Sequence, residues 1–552
     1  MSHPKQICKQ CKTQFEVIPK DLEFYKKMNV PAPAHCPDCR VQMRLAWRNE
    51  RRLFTRKCDL SGKQTISFYP QNSQYKVYAQ DVWWSDKWDG KDYGRDFDFN
   101  RPFFDQFAEL LADVPHMAMV ISHGENSDYC PYAVYYKNSY MCVSGVKGED
   151  IYYSFWTNDS RSCTDCYACF ESELCYECVQ CINLYNSFFC KDCDNSNDLA
   201  FCVNCDGCKN CIGCYGLRHK EYYVFNKKVT PQEYEKINKE IRESPEALLE
   251  MKAKFQQHLL NYPQRALQMV NTENCTGDYL LNCRNSHDCY LSEGLEDCAY
   301  MWNIPDGCKD CMDLNFSPKS ELTYNSISTV NGSNCLVAPF CWDTKDSFYS
   351  FQCFYSGNLL GCVGLKKEKY CILNKQYSKE EYNRLVPRII EHMKKTNEWG
   401  EFFPMEISPF GYNETIAQDY FPLLKHEVKK RGWRWSDEQP SVPKVEKTII
   451  AAQIPANIKD VPDDIVNWAI LCEESGKPFR IIPQELTFYR KMGLPIPRRH
   501  PNLRHAQRQA SLNPRHLFNR NCDKCGAPMQ TTFAPSRPET VYCEKCYLKE
   551  VY

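Results

Sequence analysis

Every cysteine between Cys163 and Cys214 falls in one phase of a three-residue period: Cys163, Cys166, Cys169, Cys175, Cys178, Cys181, Cys190, Cys193, Cys202, Cys205, Cys208, Cys211 and Cys214. The gaps in that phase hold Ser172, Leu184, Ser187, Ser196 and Leu199. A slower period of twelve runs through Cys142, Ser154, Cys166, Cys178, Cys190, Cys202 and Cys214. Neither a helix of period 3.6 nor an alternating strand fits this pattern. A narrow β-solenoid does: four inward positions per coil, each separated by two outward residues. Twelve residues reach at most ~40 Å of contour, so the interior admits only small side chains. Coils stacked at ~4.8 Å depend on their neighbours to fold. The outward Tyr152, Tyr153, Phe155, Phe188, Phe189 and Phe201 then form an aromatic stripe, read as a packing face in preference to a ligand platform.

A second such segment follows. Cys308, Cys311, Leu314, Ser317, Ser320, Thr323, Ser326, Thr329, Gly332, Cys335, Ala338, Cys341, Thr344, Ser347, Ser350, Cys353, Ser356, Leu359 and Cys362 keep the triplet, and Cys283 to Cys298 keep it one phase earlier, so one residue is inserted between them. The two segments end alike at an offset of 148: Gly213 to Leu217 with Asn226 and Lys227 matches Gly361 to Leu365 with Asn374 and Lys375. Each is followed by a capping-box signature, Thr230 with Glu233 and Ser378 with Glu381, which predicts a helix placed to cover the last coil.

The two ends are also copies, at an offset of 464. Phe24, Tyr25, Pro31, Pro33, Arg40, Arg44, Cys58, Asp59 and Gly62 fall on Phe488, Tyr489, Pro495, Pro497, Arg504, Arg508, Cys522, Asp523 and Gly526. Each module has room for two four-ligand metal sites. The N-terminal copy keeps the first, Cys8, Cys11, Cys36 and Cys39; at its second, Cys58 is followed by Ser61, Ala79 and Val82. The C-terminal copy keeps the second, Cys522, Cys525, Cys543 and Cys546; its first reads Cys472, Ser475, His500, Leu503. Paired CxxC knuckles are the spacing of structural zinc, so two Zn2+ ions are expected, one per end, with Cys472 and His500 at most a weak third site.

Among 552 residues there are 36 cysteines. With no apolar run of membrane length and no visible secretory signal, the expected compartment is the reducing cytoplasm and no membrane partner is expected. The interior cysteines are then read as reduced packing residues, with disulfides and bound metal as alternatives. Net charge is −1 overall, but residues 1–60 hold 13 Lys/Arg against 6 Asp/Glu, residues 472–552 hold 14 against 7, and residues 130–217 hold 5 against 11. Arg40, Arg44, Arg48 and Arg51 or Arg52 recur at helical spacing, with Arg504, Arg508 and Arg515 in the copy. Such a row suits phosphate contact with RNA, DNA or a ribonucleoprotein. It equally suits a solvated helix face, or docking onto the acidic middle of the same chain. Trp83, Trp84 and Trp88 with Asp86 and Asp89 could suggest a sugar site, but a cap on the segment that follows is preferred. No phosphate-binding loop, nucleophile elbow or zinc-protease motif is present.

The N-terminal stretch resembles the probable zinc-ribbon domain family through the Cys8/Cys11 knuckle, Phe24-Tyr25, Pro31, Pro33 and Cys36-Pro-Asp-Cys39-Arg40. Across its length the chain resembles cysteine-rich zinc-ribbon proteins of candidate-phyla-radiation bacteria through Gly361 to Leu365, Gly400 to Pro404, Ser408 to Thr415 and Val541 to Tyr547. The resemblance implies zinc ribbons and names no activity. The expected fold is mainly β with capping helices: two narrow 12-residue-coil β-solenoids flanked by duplicated zinc-ribbon modules. The order is a zinc-ribbon module over 1–82, a cap over 83–129, a β-solenoid over 130–229, a helical connector over 230–274, a second β-solenoid over 275–377, a helix and irregular linker over 378–465, and a zinc-ribbon module over 466–552. The expected function is a non-catalytic zinc-binding scaffold, binding nucleic acid or a ribonucleoprotein through its basic ends. The alternatives are a protein-interaction scaffold using the solenoid face and a thiol- or metal-dependent enzyme.

Overall fold

The computed structural model describes residues 5–304, 308–314, 320–321, 323–327, 329–330, 333–439, 445 and 447–551; Ser317 and Gly332 of the triplet series lie outside them. Strands are mixed with 12 α-helices among the described residues, none long and apolar enough to cross a membrane. The chain divides into two units. One comprises Met1–Met119, Leu267–Pro440 and Arg515–Leu517; the other comprises Val120–Ala266, Ser441–Pro514 and Phe518–Tyr552.

Each unit contains a parallel ladder. In the ladder of residues 122–224 the register advances by twelve: Glu149 pairs with Arg161, Arg161 with Glu173, Glu173 with Tyr185, Tyr185 with Asn197, Asn197 with Lys209, and Lys209 with Glu221. The other ladder runs over residues 269–372. It holds the same step from Lys345 to Gly357 and Gly357 to Lys369. Leu295, however, pairs with Cys308, a step of thirteen, and this is where the phase of the cysteines shifts.

The backbone gives the triplet its reason. From Met141 to Phe225 every third residue has positive φ, the residue just before each inward one. The chain thus repeats two extended residues and one left-handed corner. Left-handed backbone is tolerated best by Gly, Asn and Asp, and this phase carries Asp192, Asn195, Asp198, Asn204, Gly207, Asn210, Gly213 and Gly216. No Val, Ile or Thr occupies it, because a β-branched side chain would meet its own backbone there. At Gly213 and Gly361 a Cβ would also strike the rings of Phe225 and Phe103.

The inward residue has a second duty. Cys163 Sγ donates to the carbonyl of Arg161 at 3.4 Å and faces that of Ser172 at 3.5 Å. Cys166, Cys169, Cys178, Cys190 and Cys202 each donate in the same way to the carbonyl two residues back. Serines do likewise, Ser160 to Asn158 O at 2.8 Å and Ser172 to Phe170 O at 2.8 Å. These carbonyls already accept a backbone N–H from the neighbouring strand of the ladder, Thr164 O from Glu177 N at 3.1 Å and Tyr176 O from Phe189 N at 2.9 Å; Cys and Ser are the small side chains that add a second donor at the remaining lone pair. None of the described cysteines is disulfide-linked.

The ladder faces are packed. Tyr152, Tyr153, Phe188 and Phe201 lie buried with Tyr234, Ile241 and Phe255 of the following helices and with Leu486, Phe488 and Tyr489 of the C-terminal module. The helices Pro231–Glu243 and Lys379–Lys395 both begin with the expected capping box. The tryptophan cluster packs on a different ladder from the one that follows it in sequence. Trp83 and Trp84 meet Phe354 at 5.4 and 4.9 Å between ring centres, and Lys366 Nζ donates to Trp83 O and Ser85 O. Trp83 belongs to the same unit as the ladder of residues 269–372.

Candidate metal centres and the joints that seat them

The end modules agree element by element. The helices Pro19–Lys27 and Pro37–Leu45 correspond to Pro483–Met492 and Pro501–Ser511, each opened by a proline, which suits the first helical turn. The hairpin Phe54–Lys57 with Gln64–Ser67 corresponds to Phe518–Asn521 with Pro528–Thr531. Val77–Tyr78 pairs in parallel with His116–Met117, as Val541–Tyr542 does with Gln264–Arg265.

Two groups of four thiols result: Cys8, Cys11, Cys36 and Cys39 in one module, and Cys522, Cys525, Cys543 and Cys546 in the other, with the sulfurs of each group all within 4.8 Å of one another. The Cys11 and Cys36 sulfurs are 3.6 Å apart, and those of Cys525 and Cys543 are 3.9 Å apart. A tetrahedron with ~2.3 Å metal–sulfur bonds has edges of about 3.8 Å, so either group could close around a zinc-sized ion. The peptide N–H of Cys36 donates to Cys8 Sγ, and that of Cys543 to Cys522 Sγ, each at 3.3 Å. Such bonds favour the thiolate that a metal requires. Cys36 is held down to about 5, first by the Cys39 thiol that donates to it. At Cys522 burial pushes upward, but the peptide N–H groups of Cys543, Cys525 and Lys524 outweigh it and leave the thiol at about 6.

The two positions without a full ligand set keep the knuckle loop. Cys58 N donates to Lys63 O at 2.8 Å and Gly62 N to Cys58 O at 2.9 Å; at the intact site Cys522 N donates to Ala527 O at 2.8 Å and Gly526 N to Cys522 O at 2.9 Å. Cys472 with Lys477 and Gly476 repeats this at 3.0 Å. Around Cys58 the other ligand places are taken by Ser61 and the buried Ala79 and Val82. Cys472 and His500 belong to no group of three or more ligands among the described residues.

The arginine row lies mostly inside, seated on each unit's ladder. Arg40, Arg44, Arg48, Arg504 and Arg508 are all buried, Arg44 completely. Arg40 Nε donates to Asp313 at 2.5 Å, and its guanidinium lies 5.2 Å from the Tyr300 ring centre. Arg504 pairs with Asp165 and lies 5.1 Å from the Tyr153 ring. Arg44 donates to Asn325 at 2.6 Å; Arg508 pairs with Glu177 at 3.0 Å and with Asp165 at 2.8 Å. The aromatic contacts repeat as closely. Tyr25 meets Tyr324 edge-on at 5.3 Å, as Tyr489 meets Tyr176 at 5.6 Å.

These five arginines are buried and do not form a solvent-facing row: Arg40, Arg504 and Arg508 face carboxylates of the ladders, and Arg44 faces Asp313 and Asn325 there. A buried guanidinium requires a partner, and the ladder corners supply it. Burial would lower the pKa of Arg40, but Asp313 carries it above the usual range; Arg44, facing an amide where Arg508 faces Glu177, is pushed down to about 10 by burial. Arg48 turns to Glu50 at 2.5 Å. Arg51 and Arg52 are half-buried, Arg52 donating to Glu438 O at 2.5 Å, and Arg515 stacks 4.2 Å from the Trp302 ring centre. Apart from Tyr153, the ladder residues of these joints were not singled out in the sequence, although Asp165 and Asp313, like Tyr176 and Tyr324, stand 148 apart. Compared with known proteins, the chain matches no family model and no curated protein.

Proposed function

We propose that the chain is a zinc-stabilised scaffold made of two copies of one building block: a narrow β-solenoid clasped by a zinc ribbon, with one zinc per ribbon. The observation that carries this reading is the complementary retention of metal sites. One module keeps Cys8, Cys11, Cys36 and Cys39, the other keeps Cys522, Cys525, Cys543 and Cys546, and the knuckles at Cys58 and Cys472 fold without a full ligand set. A metal used as structural cement can sit at either position; a reaction centre would need the same ligands at both ends. The four-thiolate shell also leaves no open coordination position.

Of the two partner classes, protein is favoured over nucleic acid, because the arginines best spaced for phosphates are occupied by Asp165, Glu177 and Asp313. The surface that fits a protein partner is the outer face of the ladder at Ile182 and Tyr185, which are 42% and 50% exposed. Elemental analysis of the purified chain tests the metal reading, with two zinc ions per chain expected and any other stoichiometry refuting it. A pull-down that survives nuclease and is lost in Ile182→Glu/Tyr185→Glu tests the partner reading. Binding lost to nuclease would return the case to nucleic acid.

A further inference from the structure

The two joints differ at one chemically decisive place. In the unit of the N-terminal module, Arg40 and Arg44 meet one carboxylate, Asp313, with Asn325 as an uncharged partner; Asp21 is engaged elsewhere, accepting from the Tyr300 hydroxyl at 2.8 Å and facing His287 at 3.1 Å. In the other unit, Arg504 and Arg508 meet three carboxylates: Asp165, Glu177 and Glu485. Glu177 stands where Asn325 stands at the offset of 148, and Glu485 where Asp21 stands at the offset of 464. The two buried guanidiniums face three carboxylates, of which Asp165 and Glu485 are fully buried, and the further cation near Glu177, Lys252, is half-buried and lies 5.4 Å from the Phe189 ring centre. A proton on one carboxyl balances the two guanidiniums of the buried joint; without it the joint carries a surplus negative charge that water would stabilise.

We propose that the joint between the C-terminal module and its ladder is a proton-dependent latch, closed while a surplus carboxyl is protonated and loosened as rising pH removes that proton. The groups facing Glu177 are Arg508, Asp165, Arg504 and Lys252 of the helix Pro245–Leu259. Those facing Glu485 are Arg504, Asp165 and the phenol of Tyr489, which donates to it at 2.9 Å, with Tyr153 and Tyr140 alongside. Burial first, and Asp165 second, push Glu177 and Glu485 up to about 7 against the attraction of Arg508 and Arg504.

The direction follows from linkage. A carboxyl raised in the closed state keeps a proton there that it would release when hydrated. Its contribution to closure is therefore complete below the ordinary carboxylate range and is lost as pH climbs through about 7. Within that window the opening constant rises by up to about tenfold per pH unit for each carboxyl that loses its proton. Opening would bare Tyr153, Tyr176 and the buried face of the helix Pro501–Ser511, which makes the C-terminal joint a pH-controlled exposure of an apolar and cationic surface.

Amide hydrogen exchange of the zinc-loaded full chain at pH 6, 7 and 8, corrected for intrinsic rates and with zinc content checked in each sample, tests this. Protection in Pro483–Met492 and Pro501–Ser511 is expected to fall with pH. Glu177→Gln should flatten that fall while preserving the fold, as the amide at Asn325 already serves the other joint. Glu485→Gln provides a second, independent removal of a carboxyl, and carries the test if Glu177→Gln does not fold. Protection that does not change with pH in the native chain, or a slope left intact by both glutamine variants, would overturn the latch.

Discussion

Replacing Cys169 tests the claim that the ladder interior selects a donor as well as a small size. Its sulfur is fully buried, donates to Tyr167 O at 3.6 Å and faces Cys178 O at 3.2 Å. Cys169→Ala removes both contacts. Cys178 O keeps its backbone donor, Tyr167 N at 2.9 Å, so the loss is a side-chain hydrogen bond, about 0.5–1.5 kcal/mol, and the void left by the sulfur costs about 1 kcal/mol more. Together that is about 1.5–2.5 kcal/mol, or roughly 10- to 70-fold in the opening constant. Cys169→Ser keeps a donor where Ser160 and Ser172 already act as donors, so its cost should stay near ~1 kcal/mol. The assay is hydrogen exchange under reducing conditions over Tyr167–Phe170 and Val179–Phe188, with urea midpoints in parallel. An ordinary apolar core would rank alanine above serine; here serine should rank above alanine. If Cys169→Ala proves as stable as Cys169→Ser, the donor argument fails and the interior is selected by size alone.

Other consequences are equally direct. Restoring the lost ligands with Ser61→Cys, Ala79→Cys and Val82→Cys beside Cys58 should raise the zinc content from two to three per chain, because the knuckle loop is already formed; a content still at two would show that the position has lost more than its side chains. Cys39→Ser should cost one zinc and open the N-terminal module to protease, leaving the C-terminal zinc in place. Arg504→Met leaves Asp165 with Arg508 alone and takes the guanidinium from Glu485, and should lower stability by about 3–5 kcal/mol. Arg504→Met with Asp165→Leu should recover most of that, read as thermal midpoints of the three proteins.

The register of twelve was legible because one small side chain is required at every third position, and the structure pairs residues at that step. The alternation of two extended residues with one left-handed residue was written in the sequence too, as Asn, Asp and Gly just before the inward residue. It was masked by Tyr153, Phe189, Phe201 and Leu174, which adopt the same corner. Both thiol groups were legible because ligand spacing is a local property. The arginines were legible as a pattern and not as a role, since helical spacing alone does not say whether a face meets water, a phosphate or a carboxylate.

By itself, the sequence determined the two duplications, the eight cysteines of the two thiol groups that could hold metal and the small, donor-bearing interior of the ladders. Those features depend on spacing along the chain, and spacing is covalent. Only the tertiary structure decided that Trp83 serves the ladder of residues 269–372 and that Arg40 and Arg504 belong to Asp313 and Asp165. These pairings join residues hundreds of positions apart. They arise because a buried guanidinium takes whichever carboxylate the fold brings within reach, and that choice is made in space.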